Sequence, residues 1–227
     1  MIEMRTFPLG DSAVTAEFGC VISKDLNERA IALADHFHAQ PFAGFIEAVP
    51  AYASTTLFFD IPTVKRNFPG FASSYDAIAD LITKATRNFE RSVNPASSKV
   101  IEIPVHFDNG SAPDLEFVAS RSGLEPKQVV EEFTSRTYRV FMLGFLPGFT
   151  YMGEVDDLIA TPRKETPRTL VPKGSVGIAG KQTGIYSLAS PGGWQIIGRT
   201  DTELFTPKAK TPTLLQAGDA VRFVSVK

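Results

Sequence analysis

Arg163 and Arg168 lie on one proline-bracketed segment, Thr161-Pro162-Arg163-Lys164-Glu165-Thr166-Pro167-Arg168, with Pro172-Lys173-Gly174 close behind. Arg163, Lys164, Arg168 and Lys173 thus sit on a loop whose prolines pin φ. A guanidinium on a stiff loop can grip a carboxylate or phosphate in a two-pronged fork at little ordering cost. A loop that is only solvated needs no such stiffness, so the spacing favours an anion clamp. Further on, Ser190-Pro191-Gly192-Gly193-Trp194 holds the one tryptophan and leads to Arg199, a second candidate clamp at a strand end. Paired glycines admit a ligand or another strand close to the backbone. Trp194 is then either a stacking wall or a core anchor. Upstream, Gly144-Phe145-Leu146-Pro147-Gly148-Phe149 places aromatic rings around a Pro-Gly turn. Such rings either rim a pocket or fill a core.

Gly174-Ser175-Val176-Gly177-Ile178-Ala179-Gly180-Lys181-Gln182-Thr183-Gly184 looks at first like a phosphate loop. A Walker A loop ending in Gly180-Lys181 needs glycine at position 175 and a hydroxyl residue at 182, where Ser175 and Gln182 stand. No helical pattern follows to supply an N-terminal dipole. The alternation of apolar and small residues reads as strand and turn, so P-loop nucleotide binding is rejected.

Conventional catalytic sets are scarce. Cys20 is the lone cysteine, which excludes a disulfide framework and a cysteine-based metal site. His36 and His38, two apart on a helix, point to different faces and cannot share one metal. His106 follows a strand and is either a general base or structural. Neither Gly-x-Ser-x-Gly nor His-Glu-x-x-His occurs. No metal site is expected and no catalytic residue is assigned. The 227 residues are 43% hydrophobic and 21% charged, the profile of a globular protein. A formal charge of -2 offers no basic field for a nucleic acid. The first residues lack a signal-peptide pattern, and no apolar run reaches the roughly 18 residues needed to cross a bilayer. The expected location is cytoplasmic, with no membrane partner. Phenylalanine dominates the aromatics, 18 against 5 tyrosines.

These residues need a scaffold. The alternating run 13–18 after Asp11-Ser12 predicts a first hairpin. Leu26, Ala30, Leu33, Ala34 and Phe37 share one face of a helix that Pro41 ends. The run 45–60 is β-rich, with a bend or edge at Val49-Pro50-Ala51-Tyr52. Ser73-Ser74-Tyr75-Asp76 has the form of a capping box opening a second helix that carries Ile78, Leu81, Ile82, Ala85 and Phe89. This order suits an antiparallel sheet with helices on one face. Residues 91–99 are polar, contain Pro95 and form the expected linker. Beyond it, 101–107 reads as a strand. Ser111-Ala112-Pro113-Asp114 reads as a helix start with Ser111 as its cap, and Pro126 opens another helix. Residues 138–145 form an apolar strand. Short β runs at 176–179, 184–188, 194–197 and 220–226 suggest a compact barrel with long connections.

The motifs from Tyr138-Arg139-Val140-Phe141 through Gly144-Phe145-Leu146-Pro147-Gly148-Phe149, Thr161-Pro162-Arg163, Thr166-Pro167-Arg168, Gln182-Thr183-Gly184-Ile185-Tyr186 and Ser190-Pro191-Gly192-Gly193-Trp194 strongly resemble the allophanate hydrolase subunit 1 family, also called the PxpB/KipI family. Gly10-Asp11-Ser12-Ala13, Glu17-Phe18-Gly19 and Pro50-Ala51-Tyr52 look like its N-terminal signature, so the resemblance covers nearly the whole chain. It implies an α+β N-terminal domain over 1–93, a ferredoxin-like antiparallel sheet with two helices. A mainly-β cyclophilin-like barrel of the carboxyltransferase subdomain type is implied over 99–227.

The resemblance also implies a component of an ATP-dependent 5-oxoprolinase that helps to open 5-oxo-L-proline to L-glutamate and is inactive alone. The implied partners are an allophanate hydrolase subunit 2 (PxpC) type chain and a LamB/YcsF-type (PxpA) chain. ATP would serve the complex without a P-loop here. Biotin is not expected, since the chain has no Met-Lys-Met site of its own. On this reading Arg163, Arg168 and Arg199 are anion clamps. Phe145, Phe149 and Trp194 form the pocket wall, and Gln182 with Thr183 supplies hydrogen bonds. Two alternatives belong to other classes: a KipI-like inhibitor of a sensor histidine kinase, and a carboxyltransferase component of the allophanate hydrolase or urea carboxylase type. The sequence departs from many relatives at Phe133, where they carry histidine, and at the polar turn Phe107-Asp108-Asn109-Gly110.

Overall fold

The computed structural model describes residues 4–89 and 100–226, and the linker expected over 91–99 lies outside them. The chain divides into two compact units, Met1–Ala96 and Ser97–Lys227.

In the first unit, β1 (Arg5–Pro8) and β2 (Ala13–Glu17) form the expected hairpin. Helix α1 (Lys24–Ala39) starts where Ser23 Oγ accepts the Leu26 N–H at 3.2 Å. Its buried stripe is Leu26, Ala30, Leu33, Ala34 and Phe37. Strands β3 (Phe45–Pro50) and β4 (Ser54–Phe59) complete an antiparallel sheet in the order β1-β2-β4-β3. Pro50 therefore closes an edge strand, where its missing N–H costs no ladder bond. A short helix that the sequence reading passed over, α2 (Ile61–Asn67), is capped by Asp60, whose carboxylate accepts the Thr63 N–H at 2.9 Å. Helix α3 (Ser74–Phe89) begins at the predicted Ser73 cap, whose hydroxyl accepts the Asp76 N–H at 3.1 Å and donates to the Asp76 carboxylate at 2.7 Å, where the box expected a return bond to the Ser73 backbone. Ala77, Ile78, Ile82 and Ala85 of α3 join Val14, Leu57 and Phe59 in one core.

The second unit is a closed seven-stranded barrel. Its strands are β5 (Val100–His106), β6 (Thr137–Leu143), β7 (Thr150–Gly153), β9 (Ser175–Ala179), β10 (Gln182–Ile185), β12 (Gln195–Arg199) and β13 (Ala220–Val226). They close in the order β10-β7-β6-β13-β5-β12-β9, with β13 parallel to β5. A separate ribbon pairs β8 (Arg168–Val171) with β11 (Ser190–Gly192). Helices α4 (Leu115–Ser122) and α5 (Pro126–Thr134) supply Val118, Val129 and Phe133 to the barrel core. Phe133, where many relatives place histidine, is fully buried and stacks on Phe223 at 4.9 Å.

Several boundaries differ from the sequence reading, and two of them have a visible cause. Helix α4 starts at Leu115, after the expected Ser111 cap, because the Asp108 carboxylate takes the Gly110 and Ser111 N–H groups and the Ser111 hydroxyl. Strand β6 ends at Leu143 rather than 145, since the Leu146 N–H turns back to the Gly144 carbonyl at 2.7 Å. Phe145 consequently sits at φ 64, in the left-handed region.

Alternate residues of barrel strands face in and out. The inward row Val176, Ile178, Ile185 and Ile197 packs in the main core. The outward row is different. Tyr151, Gly184, Gly177 and Ile196 lie side by side across β7, β10, β9 and β12.

Candidate functional site

Gly177 and Gly184 leave a bare backbone floor on the outside of the barrel. A Cβ at Gly184 would overlap the Thr150 carbonyl oxygen and stand 3.2 Å from both Phe149 and Trp194. A Cβ at Gly177 would stand 3.1 Å from Trp194 Cβ. Gly177 and Gly184 of the run that mimicked a phosphate loop therefore make room for rings. Phe149 is the hub, 1% exposed, with edge-to-face neighbours Phe145 at 5.6 Å, Tyr151 at 4.8 Å, Tyr186 at 5.1 Å and Trp194 at 5.6 Å. Val171, Ala179 and Ile196 complete this second cluster. Phe145 differs from its partners, being 61% exposed at the rim. Both of the sequence's alternatives for these aromatics are realised, Phe149 and Trp194 as packing and Phe145 as an exposed edge.

The proline-bracketed segment crosses this cluster as a strap. It is sewn down along its length: the Gly180 N–H donates to Thr161 O at 2.7 Å, Gln195 Nε2 to Pro162 O at 3.0 Å, and the Lys164 N–H to Gly193 O at 2.7 Å. Arg163 lies over the Trp194 ring, its guanidinium carbon 5.9 Å from the centroid. Burial raises the Tyr151 phenol pKa, and the Arg163 charge opposes the rise. Burial also raises Tyr186, opposed by its hydrogen bond to the Trp194 backbone and then by Arg163.

Arg168 is engaged differently. Its Nη2 donates to Asp114 Oδ1 at 2.6 Å, and Lys164 Nζ reaches the same oxygen at 3.2 Å. Asp114 Oδ2 accepts the Ile196 N–H at 2.6 Å, while the Asp114 N–H donates to Ile196 O at 2.9 Å. Burial alone would raise the Asp114 pKa. The Arg168 hydrogen bond, the Ile196 N–H, the Arg168 charge and Lys164 outweigh that and hold it below the usual aspartate value. Asp114 occupies the cap position of α4 without capping it.

The other predicted residues divide between faces. Gln182, half-buried, shares the outward parity of Gly184 and pairs in register with Ala179 of the ring cluster. Thr183 points inward, where its hydroxyl donates to Gly177 O at 3.0 Å. Arg199 is exposed five residues beyond Trp194, roughly 16 Å along an extended strand. It pairs in register with His106 and Ser175. The structure thus brings together Arg163, Phe145, Phe149 and Trp194, braces them with Arg168, and leaves Thr183 and Arg199 apart. Asp114, Tyr151 and Tyr186 were missed. The tyrosines share strand parity with Phe149 and Gly184, which is a readable signal. Asp114 has only its helix-start context. A cavity of about 370 Å³ lined by Val64, Phe68, Phe71 and Ala77 lies in the first unit.

Comparison with known proteins places the chain in a family. Residues 4–215 match the family described as carboxyltransferase domain, subdomain C and D. The chain belongs to that carboxyltransferase subdomain family. Within the family it is 42% identical to the 5-oxoprolinase B component of Bacillus subtilis, over 96% of this chain and 91% of that one. Identity to the 5-oxoprolinase B component of Escherichia coli O157:H7 is 41%, over 100% and 98%. The solved structure of TTHA0988 superposes on this carboxyltransferase-family chain with a TM-score of 0.80 at 36% identity, over 99% of this chain. The chain spans 40% of the length of that solved protein.

Proposed function

We propose that this chain is the PxpB component of an ATP-dependent 5-oxoprolinase, which converts 5-oxo-L-proline, water and ATP to L-glutamate, ADP and phosphate. The observation that carries the reading is identity above 40%, over nearly the full length of both chains, to two proteins named as that component of 5-oxoprolinase. One component of such an enzyme works with others. The partners on this reading are a PxpC-type (allophanate hydrolase subunit 2) chain and a LamB/YcsF-type PxpA chain, and the protein acts in the cytoplasm.

The chemistry fits a shared site. The ring amide of 5-oxoproline is an unstrained lactam, so its carbonyl must be activated, and ATP supplies the driving force. The substrate carboxylate and any phosphorylated intermediate call for a cation. Arg163 stands exposed over Trp194, and among the described residues no carboxylate pairs with it. We assign it the anion contact, with Phe145, Phe149 and Trp194 as the wall and Gln182 as a polar neighbour. Arg168 serves by bracing the strap, and Thr183 by fixing β9 to β10. Arg199 lies at the far end of β12, available to an anionic group of the partner or of ATP. The run 174–184 forms strand, turn and strand, so ATP is held by other means than a P-loop.

Co-expression of this chain with its PxpC-type and PxpA-type partners, assayed for glutamate and ADP from 5-oxoproline, tests the reading. Turnover by the full set that disappears when this chain is omitted supports it. Absence of turnover in the full set, with inhibition of a sensor histidine kinase instead, replaces it with the regulatory alternative.

A further inference from the structure

Asp114 joins three segments that are remote in sequence: the start of α4, the strap 161–168 and strand β12. It is 5% exposed, and both carboxylate oxygens are occupied, Oδ1 by two cations and Oδ2 by the Ile196 N–H. An aspartate at a helix start ordinarily accepts an N–H of its own first turn. Asp114 gives up that local bond for the long-range ones. Both of its cations lie close to the Arg163–Trp194 stack. Lys164 is the residue after Arg163, and Arg168 Nη1 reaches Trp194 O at 3.5 Å. One carboxylate thereby engages the two cations that follow Arg163 on the strap, Lys164 and Arg168, while Arg163 itself has no carboxylate partner among the described residues.

We propose that Asp114 is the positioning residue of this face, locking the strap to β12 so that Arg163 stands over Trp194 and is presented to an incoming carboxylate or phosphate. The ligand class rests on the reading of this face as the anion site given above, whereas the positioning itself does not.

Trp194 is the one tryptophan in the chain, so fluorescence of the full-length protein under excitation that spares its tyrosines reports this face alone. Wild type, Asp114→Asn and Asp114→Glu are compared by acrylamide quenching, with far-UV circular dichroism as the check of fold. Inorganic phosphate is then titrated against sodium chloride of equal ionic strength. The expected result is at least a twofold rise in the quenching constant for the folded Asp114→Asn protein and at least half of that change recovered by Asp114→Glu. The phosphate midpoint should weaken at least fivefold in Asp114→Asn. A folded Asp114→Asn protein with wild-type quenching and a wild-type phosphate midpoint overturns the proposal. If Asp114→Asn does not fold, Lys164→Gln removes one bond to the carboxylate and keeps Arg168. An intermediate rise in quenching then supports the proposal, and wild-type quenching overturns it. A wild-type protein that ignores phosphate while the quenching contrast persists refutes the anion reading and upholds the positioning role.

Discussion

Arg168 Nη2 and Asp114 Oδ1 meet at 2.6 Å across 54 residues of sequence, with the carboxylate almost fully buried. The pair decides what substitution of Arg168 must do. A guanidinium placed only to bind substrate is lost without harm to the fold. Arg168→Ala instead strands a buried carboxylate with Lys164 as its one remaining cation. Loss of such a charge-assisted bond costs about 2–3 kcal/mol. Urea unfolding of Arg168→Ala should show that fall with an unchanged slope, and Arg168→Lys should recover part of it.

The same carboxylate makes stability sensitive to acid. Against the effect of burial, the Arg168 hydrogen bond and the Ile196 N–H hold the folded Asp114 carboxyl below the ordinary aspartate value. Its contribution is therefore present above the unfolded value and is lost as pH falls through the folded one. Urea midpoints measured from about pH 6 down to about pH 2 should fall along an acid limb that Asp114→Asn makes shallower. Asp108 and Asp156 are also held low and share the limb, so it flattens without vanishing.

Gly184 and Gly180 should respond to alanine in opposite degree. At Gly184 the added methyl meets the Thr150 carbonyl and two rings that cannot retreat. Overpacking of this kind costs about 3 kcal/mol. Gly180 has open space and only a positive φ of 62 to oppose the change, worth about 1 kcal/mol. Thermal unfolding of the two variants checks the ranking.

Arg163→Ala should separate binding from folding. The residue is exposed, and its described contact is the face of Trp194. In the reconstituted complex the expected outcome is a rise of about 10-fold or more in KM for 5-oxoproline, the equivalent of one charge-assisted hydrogen bond. The melting temperature of the isolated chain should stay within about 2 °C of wild type.

Phe145 and Phe149 should split the same way. Phe149→Ala empties the centre of the ring cluster and should cost about 3–4 kcal/mol. Phe145→Gly relieves a left-handed φ of 64, gaining about 1 kcal/mol, and gives up one edge-to-face contact of similar worth. Its unfolding midpoint should match wild type while turnover of the complex falls at least fivefold. Steady-state assays beside urea titrations measure both.

Local signals carried much of the scaffold. Ser73 and Pro126 mark helix starts because caps act within three residues, and the apolar stripes of α1 and α3 repeat at helical spacing. Asp60-Ile61-Pro62 carried the same kind of signal for α2, in a segment too short for periodicity to show. Strands β7, β8 and β11 have three or four residues each, too few for alternation to register. The candidate face was half legible. Pro-stiffened Arg163 and the Gly-Gly-Trp step stand out in the chain. Asp114 does not, because its partners lie 50, 54 and 82 residues away and only the barrel brings them near. Thr183 and Gln182 are adjacent in the chain, yet strand pleating sends them to opposite faces.

The bare floor under Trp194 and Phe149 has one more consequence. Rings resting on side chains can be retuned by swapping those side chains, but rings resting on backbone cannot. At Gly177 and Gly184 there is no rotamer to adjust, and any larger residue lifts the whole slab. Variation in what this face accepts must then arise at its border, from the strap and from Phe145, while the floor stays invariant. A library that randomises 161–168 and Phe145 explores new specificities on a surface that the glycines keep level.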